Sequence, residues 1–399
     1  MNKHVGFRLT LSLATIVALG PAAIDMYLAS MPQMAQQLNV SYAATQMTLT
    51  VFLVFMGLGQ LLFGPLSDAM GRKKPLIFGL GIYILASLWA SLAPTLEQLI
   101  FARSIQGIGA SMAIVIVMSM VRDLVDGAEA AQLYALLNTI VALGPIVAPA
   151  IGGLVGAQFG WRGVMALLAV LGVAVLINTL LSIKESLAVQ HRIAFNFLSV
   201  FNIYWNILKS RIFIFNLLAL SAVYFFLFSY IGGSAYVYQT HYGLSTEQFG
   251  LVFGLTSVSL ILGASSSAYW VKKISVQRLA VIGALIMLIG SAVCLLTHFL
   301  SLGLIGIVSG IALGLFGLGI LEATLMAIAM DSQTTALGSS AALLGAFPMV
   351  LSSTATPIAG QLVELDPLYW LMLLGAIGPV ILILVVMGSR QSSSQKICA

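Results

Sequence analysis

Twelve apolar runs, each long enough to cross a lipid bilayer, constrain this fold more than any other feature of the sequence. A membrane-spanning helix needs about 20 predominantly apolar residues. Numbered here as spans 1 to 12, such runs lie at 7–31, 43–66, 75–94, 98–120, 131–156, 163–183, 212–238, 247–270, 278–297, 301–329, 335–360 and 367–388. We predict an all-α membrane protein with twelve transmembrane helices, and we expect the first run to be retained as a helix.

The composition excludes several classes of soluble protein. Of the 399 residues, 60% are apolar and only 7% are charged, whereas soluble domains carry about 25% charged residues. A water-soluble enzyme, a disordered regulator and a nucleic-acid-binding protein are therefore excluded. No catalytic triad, paired-carboxylate pattern or metal-ligand spacing is found, so we expect neither an enzyme nor a metal site. A phosphate-binding Gly-rich loop is also missing, so transport would use an ion gradient and no cofactor.

The positions of the basic residues predict the orientation. If the N-terminus is cytoplasmic, all but two of the 17 Lys and Arg residues, from Lys3 to Lys396, fall in cytoplasmic segments. The exceptions are Arg103 and Arg162. Because basic residues accumulate on the cytoplasmic side, we expect both termini to be cytoplasmic. The net charge of +5 is then a topology signal and requires no anionic partner.

A polar, basic connection between spans 6 and 7 divides the chain into halves that resemble each other weakly. Pro149-Ala-Ile-Gly-Gly in span 5 resembles Pro357-Ile-Ala-Gly in span 11. Internal symmetry of this kind is typical of secondary transporters. We predict two six-helix bundles with pseudo-two-fold symmetry, and a monomer, because the halves complete one another. The predicted units are an N-terminal bundle at 1–183, a cytoplasmic linker at 184–211 and a C-terminal bundle at 212–399.

Two ionisable residues, Asp25 and Arg103, lie inside spans 1 and 4 at similar predicted depth. A charged group inside a span costs about 2.5–3.5 kcal/mol and usually faces a cavity or a partner. At about 1.5 Å per residue, both lie about 8–9 Å below the outer boundary. The pair could be a structural ion pair that joins two helices, or could share a substrate or water. In the functional alternative, Asp25 is a titratable carboxylate that exchanges protons for substrate, with Arg103 tuning it.

Glu322 is the third ionisable residue inside a span, about seven residues from the inner boundary of span 10. Three roles remain open for it. It could be a second proton site, a contact for a cationic drug, or a group that extends to the interface.

A multi-residue motif lies between spans 2 and 3: Gly64-Pro-Leu-Ser-Asp68-Ala-Met-Gly71-Arg72-Lys-Lys. Glycines permit a tight turn and close helix approach. This segment resembles the loop signature of the major facilitator superfamily, in which Gly, Asp, Gly and Arg keep this spacing. The resemblance implies a fold of two rocking bundles, with spans 1, 4, 7 and 10 lining a central site. It also implies that Asp68, Arg72 and Asp123 form a conformational latch at the inner face.

Two further motifs are similar to superfamily signatures. Arg103-Ser-Ile-Gln106-Gly-Ile-Gly in span 4 resembles the fourth-helix motif, whose arginine is associated with proton coupling. Span 5 resembles the Gly-Pro signature associated with exporters, and glycine and proline there permit bending and close packing. Its residues are Gly144, Pro145, Pro149, Gly152 and Gly153.

Segments 21–32, 45–50 and 121–123 resemble the bicyclomycin/chloramphenicol-resistance branch of the drug:proton antiporters. This branch usually has Leu-Pro where this chain has Leu28-Ala29. The resemblance covers nearly the whole chain and is densest over residues 20–165. It implies a bacterial inner-membrane protein whose partners are protons, a small drug and the lipid bilayer.

Four uncharged residues are candidate substrate contacts beside Asp25. Tyr224 and Phe228 in span 7 are four residues apart and share a helix face, which suits flat amphipathic molecules. Gln106 lies on the same face of span 4 as Arg103, and Gln46 lies near the outer end of span 2. Lipid-facing aromatics remain the alternative for span 7.

The predicted function is proton-coupled antiport that exports small amphipathic drugs, such as phenicols or bicyclic antibiotics, by alternating access. The alternative is export of a cellular metabolite, such as an amino acid or a dipeptide. The exporter signature in span 5 disfavours a nutrient importer. The sequence does not separate the first two possibilities.

Overall fold

The computed structural model describes residues 6–192, 195–333 and 336–398, with the side chains of all of them except residue 128 and residues 390–398. Lys3 lies outside the described residues, as do the side chains of Arg390 and Lys396. The described residues form helices and no strands. The predicted fold class, an all-α membrane protein of two six-helix bundles, is confirmed.

Eleven stretches of the described chain are long and apolar enough to cross a membrane. One of them, Glu129–Ser182, is about twice as long as the rest and bends at Gly160, where φ is +67°. Because this conformation favours glycine, the bend divides the stretch into spans 5 and 6, which gives twelve crossings. The other ten are Phe7–Leu38, Tyr42–Met70, Lys73–Leu92, Leu96–Leu124, Arg211–His241, Thr246–Trp270, Val276–Phe299, Gly303–Asp331, Leu337–Leu365 and Pro367–Ser389.

Three spans are interrupted, all near the same end of the molecule. In span 1 the α-helix ends at Asp25, and a 3-10 turn at Leu28–Ser30 leads to the helix Met31–Leu38. Span 7 continues beyond Tyr236 as a π-helical turn, and span 11 breaks between Ser352 and Ala355. Such irregular turns are common at functional sites, and Asp25 lies at one of them.

The linker between spans 6 and 7 contains a helix that was not predicted from the sequence. Phe197–Leu208 begins with an N-cap in which Asn196 accepts a hydrogen bond from the Ser199 backbone N–H. The expectation of a polar linker is wrong for this stretch, whose sequence FLSVFNIYWNIL is mostly apolar. Its 12 residues are too few for a crossing, which takes about 20.

The two halves pack together chiefly through spans 2 and 11 and through spans 5 and 8. A Cβ atom at Gly254 in span 8 would lie 2.7 Å from the Ile146 carbonyl oxygen of span 5. Gly250, one turn earlier, faces the Pro149 carbonyl in the same way. Small residues let membrane helices approach this closely, so the span 5 motif packs against the other half. We call the end with the linker the linker end, and the other the opposite end.

Candidate transport site

Asp25 lies at the break in span 1 and is buried, with 3% of its surface exposed. Among the described residues, no hydrogen bond or ion pair to its carboxylate is found. A buried carboxylate without a partner is costly and is a candidate functional group by default. The structure therefore places Asp25 inside the protein, without an ion-pair partner in the described part of the chain.

Arg103 is completely buried and contacts other groups than the carboxylate of Asp25. Its guanidinium lies between two aromatic rings, 4.5 Å from the Tyr27 centroid and 4.3 Å from the Phe52 centroid. It donates to the Ala23 carbonyl at 2.9 Å and to Gln106 Oε1 at 2.5 Å. Its Nε atom has no partner in the described residues. The ion-pair alternative for Asp25 and Arg103 is not observed, although Arg103 contacts residues on both sides of Asp25.

The two predicted glutamine contacts are both buried. Gln106 accepts from Arg103 and donates to Ser87 Oγ at 2.7 Å, so its amide joins spans 3 and 4. Gln46 donates to the Met31 sulfur at 3.1 Å, and its Oε1 atom has no partner in the described residues. Of the two side chains, Gln46 therefore has an acceptor atom free for a further hydrogen bond, whereas both ends of the Gln106 amide already have partners. Substrate contact by either residue stays a prediction.

The structure brings together two residues to which the sequence analysis gave separate roles. The Tyr224 hydroxyl of span 7 donates to Glu322 Oε1 of span 10 at 2.7 Å. The Tyr224 and Phe228 rings have centroids 6.3 Å apart, as their spacing on one helix face predicted. Glu322 is thus held by a phenol inside the C-terminal half, whereas no such partner is found for Asp25 in the described chain.

Sequence reasoning missed an aromatic cluster on spans 7 and 8. Tyr230 stacks on Phe253 with centroids 5.0 Å apart and an angle of 8° between the rings, and Tyr238 packs on Phe249 at 5.9 Å. The hydroxyls of both tyrosines are buried and unpartnered in the described residues. The turn Leu28–Ser30, which follows Asp25 in span 1, packs against spans 7 and 8, the two spans that carry the cluster. A signal was available, because tyrosines 230 and 238 are eight residues apart on one face.

At the linker end, the predicted latch residues form one cluster. Arg72 pairs with Asp123 at 2.8 Å and with Asp68 at 2.6 Å, and donates to Ser67 Oγ at 2.6 Å. Partial burial lowers the pKa of Arg72, but the two carboxylates outweigh it and raise that pKa above its ordinary value. All four residues belong to the N-terminal half, so this cluster fixes spans 2, 3 and 4 to one another.

The linker completes this cluster, which the sequence did not predict. Glu185 accepts from the backbone N–H groups of Arg72 at 2.7 Å and Lys73 at 3.2 Å, at the start of span 3. Ser186 donates to Asp123 at 2.9 Å. Burial raises the pKa of Glu185, but the backbone N–H groups and Arg192 outweigh it and hold that pKa below its ordinary value.

The glycines of the loop motif and of the span 5 motif differ in how closely other atoms approach them. Gly71 has φ of +89°, and a Cβ there would lie 2.6 Å from the Glu185 carboxylate. At Gly64 the nearest atom would be 3.5 Å away, an ordinary contact. In span 5, Gly144 faces Pro21, Gly152 faces the Met26 carbonyl of span 1, and Gly153 faces Thr246 of span 8.

At the opposite end, hydrogen bonds join the two halves. Glu364 at the end of span 11 accepts from the backbone N–H groups of Tyr42 at 2.6 Å and Ala43 at 3.3 Å, at the start of span 2. The Tyr42 hydroxyl donates to the Gly232 carbonyl, and Gln239 donates to the Ala29 carbonyl, each at 2.9 Å. These contacts close the opposite end.

The sequence matches the Major Facilitator Superfamily over residues 13–347. The chain belongs to this superfamily. It is 33% identical over 353 residues to an uncharacterized MFS-type transporter, YdgK, of Bacillus subtilis (strain 168), with 87% of each chain covered. It is 37% identical over 171 residues to the multidrug resistance protein MdtL of Escherichia coli O81 (strain ED1a). That match covers 43% of this chain and 44% of MdtL.

Solved structures show the same superfamily fold. The peptide transporter POT in complex with sulfate has a TM-score of 0.77 at 14% identity, with 96% of this chain and 95% of that chain covered. A bacterial homolog of the human lysosomal transporter Spinster has a TM-score of 0.69 at 16% identity, with 96% and 92% covered. The protein is therefore a multi-pass membrane transporter of the superfamily, and these likenesses describe its fold alone.

Proposed function

We propose that this superfamily transporter is a proton-coupled antiporter that exports small amphipathic drugs from the bacterial cytoplasm. The observation that carries the proposal is the buried, unpartnered carboxylate of Asp25. The multidrug resistance protein MdtL, similar over 171 residues, supports drug export. The residues at 21–32, 45–50 and 121–123 favour the bicyclomycin/chloramphenicol-resistance branch.

The distribution of basic residues supports a cytoplasmic position for the linker end. The protein then lies in the bacterial inner membrane with both termini cytoplasmic. The proton gradient supplies the energy, and no cofactor takes part. One chain contains both bundles and the whole site, so the monomer is the working unit.

The surroundings of Asp25 allow its carboxyl group to exchange a proton for substrate. A carboxyl group can bind a proton, or accept a hydrogen bond or an ion pair from substrate, and the two uses compete. Arg103 lies against Tyr27 and donates to the Ala23 carbonyl. Its positive charge is therefore held beside the turn that contains Asp25, but it does not form an ion pair with the carboxylate. A change in the turn at Asp25 would alter the distance to this charge, and with it the affinity for the proton.

Drug binding uses the aromatic groups of spans 7 and 8. Tyr230, Phe253 and Phe249 are flat rings that pack on one another and are buried in this structure, so a drug would bind them by separating the stack; the Tyr230 hydroxyl is unpartnered in the described chain. Flat amphipathic molecules match such a surface because aromatic stacking adds about 0.5–1.5 kcal/mol per pair to area burial. We include Tyr224, Phe228 and Gln46 in the proposed binding site, and Glu322 supplies a second acidic group held by Tyr224.

Alternating access requires the contacts at the opposite end to break. Glu364, Tyr42 and Gln239 join the halves there, and they must separate before substrate leaves. At the linker end, the Arg72 cluster lies within one half and keeps that half rigid. Gly153 and Gly250 permit close contact of spans 5 and 8, about which the halves would rock.

Export of a zwitterionic metabolite, such as an amino acid or a dipeptide, is the second candidate. The observation favouring it is that Asp25 and the guanidinium of Arg103 lie on neighbouring spans without pairing. An ammonium and a carboxylate group on one small molecule would match them.

The test is drug susceptibility of cells producing the protein, with and without a protonophore. It is combined with substrate-induced proton release in inside-out vesicles, and with release of labelled amino acids. Asp25→Asn is expected to abolish gradient-driven efflux and proton release. Asp331→Asn, an exposed carboxylate at the end of span 10, is the matched control and is expected to transport normally. Full gradient-driven efflux by Asp25→Asn would refute the proposal, and release of amino acids without drug resistance would favour the metabolite exporter.

A further inference from the structure

The short linker helix Phe197–Leu208 has three distinct faces, and one of them has no protein partner in the described chain. We propose that this helix lies in the membrane surface at the linker end, and that its exposed aromatic face binds the phospholipid interface there. Under the orientation proposed above, that surface is the cytoplasmic leaflet. The site is separate from the transport site and does not depend on which molecule is exported.

One face of the helix is held by the protein. The Tyr204 hydroxyl donates to the Leu61 carbonyl of span 2 at 2.9 Å. Ile207, three residues later on the same side, is buried, and the helix also packs against span 11. The helix is therefore fixed across the line where the two halves meet.

The position of this attachment along span 2 gives the depth of the linker helix in the membrane. Leu61 precedes the linker-end terminus of span 2, Met70, by nine residues. At about 1.5 Å per residue, its carbonyl lies about 13 Å along the helix from that end. The linker helix is therefore level with the last turns of the spans and does not hang below them. Leu58 and Leu62, close to Leu61 along span 2, are exposed apolar residues of the kind that face lipid in a bilayer.

The second face is aromatic and exposed. Phe197, Phe201 and Trp205 are spaced by four residues and are 59%, 55% and 57% exposed. Residues spaced by four lie one above the other on a helix, so the three rings form one continuous stripe. Exposed aromatic stripes of this kind are unfavourable in water and are typical of helices in the membrane interface, where Trp is also enriched.

The third face is polar. At about 100° per residue, Ser199, Asn202 and Asn206 fall on one side of the helix, between the aromatic stripe and Ile207. Lys209 follows on that side and donates a hydrogen bond to Asn206. Arg211 is the first residue of span 7. A helix with one face on protein, one apolar and one polar with cations at its end matches an anionic headgroup layer.

The test uses spin labels on the full chain in phosphatidylcholine vesicles that contain phosphatidylglycerol. Cys294→Ser and Cys398→Ser provide the background. Phe201→Cys and Trp205→Cys label the aromatic face, and Ser199→Cys and Asn206→Cys label the polar face as matched controls. Labels at 201 and 205 are expected to collide more often with oxygen than with a water-soluble nickel complex, and labels at 199 and 206 the reverse.

Two results would overturn the proposal. Collision with the nickel complex at all four positions would place the aromatic face in water. Low access to both reagents at 201 and 205 would show that protein, such as a second copy of the chain, covers it. If labelled variants fail to fold, quenching of tryptophan fluorescence by brominated lipid provides the same test, because Trp205→Phe is expected to remove a quenched component. Equal quenching of both proteins would refute lipid contact at Trp205.

Discussion

The two ends of the transporter use the same chemical device for different purposes. At each end, a glutamate carboxylate accepts hydrogen bonds from two consecutive backbone N–H groups where a helix begins: Glu185 at span 3, and Glu364 at span 2. A carboxylate at a helix N-terminus is stabilising because it satisfies N–H groups that lack helical partners. Glu185 joins the linker to the half that precedes it, whereas Glu364 joins one half to the other.

This difference indicates which contacts move. A contact within a half can persist through the transport cycle, while a contact between halves must break whenever that end opens. In the proposed mechanism, the linker-end cluster would therefore act as a rigid support, reinforced by Arg72 and its two carboxylates, and the contacts of Glu364 would form the gate of the opposite end. The sequence motifs included Asp68, Arg72 and Asp123 of the support, but no motif indicated the contacts of Glu364 at the gate.

The largest expected effect concerns the support. Gly71→Ala introduces a side chain where φ is +89° and where Cβ would lie 2.6 Å from the Glu185 carboxylate. A non-glycine residue in such a conformation costs about 1–3 kcal/mol, so thermal stability in detergent should fall by several degrees. Gly64→Ala in the same motif is the control and should be tolerated. Equal stability of both variants would contradict the strain at Gly71.

The gate should respond to loss of its carboxylate. Glu364→Ala leaves the N–H groups of Tyr42 and Ala43 without their acceptor across the halves. Loss of a helix cap costs typically about 1 kcal/mol, so the balance should shift about fivefold toward opening at this end. Distances between spin labels on spans 2 and 11 would report the shift. Glu247→Ala, an exposed residue in the first turn of span 8, should leave those distances unchanged.

A smaller effect is expected where the support is redundant. Asp123→Asn removes one carboxylate from Arg72, but Asp68 and Ser67 still contact the guanidinium. Partly exposed ion pairs contribute about 0–1 kcal/mol, so turnover should fall by roughly threefold at most while drug binding persists. The variant is compared in vesicles with the double variant Asp68→Asn/Asp123→Asn, which should lose much more. Loss of drug binding by the folded single variant would argue against a purely structural role.

The smallest effect is a pH dependence of the linker contact. Burial opposes ionisation of Glu185, but the N–H groups and Arg192 lower its pKa overall. Its stabilising contribution is therefore fully present above the ordinary pKa of a glutamate, and it is lost as pH falls through the lowered pKa. Cross-linking of a linker cysteine to span 3 should stay constant from neutral pH to about 4.3 and fall below that. Glu185→Gln should remove the dependence; a loss near neutral pH in the native protein would contradict this assignment.

The sequence by itself determined much of the architecture. Twelve apolar runs, the separation of spans 5 and 6 between residues 156 and 163, and the position of the linker were predicted from the length and composition of the spans, because the bilayer leaves a chain few alternatives. The cluster of Asp68, Arg72 and Asp123 was implied by the resemblance to the superfamily, and the shared face of Tyr224 and Phe228 followed from their spacing. Asp25 and Arg103 were identified as unusual because charge inside a span is costly.

Only the tertiary structure decided which groups meet. Sequence depth suggested that Arg103 could pair with Asp25, yet the guanidinium lies between Tyr27 and Phe52, since depth along a span does not fix the direction of a side chain. The contacts of Glu185, Glu364 and Tyr204 join residues from 112 to 322 positions apart along the chain, where no local pattern reports proximity. Hydrophobicity determines which segments become membrane helices, but side-chain packing determines which helices contact one another.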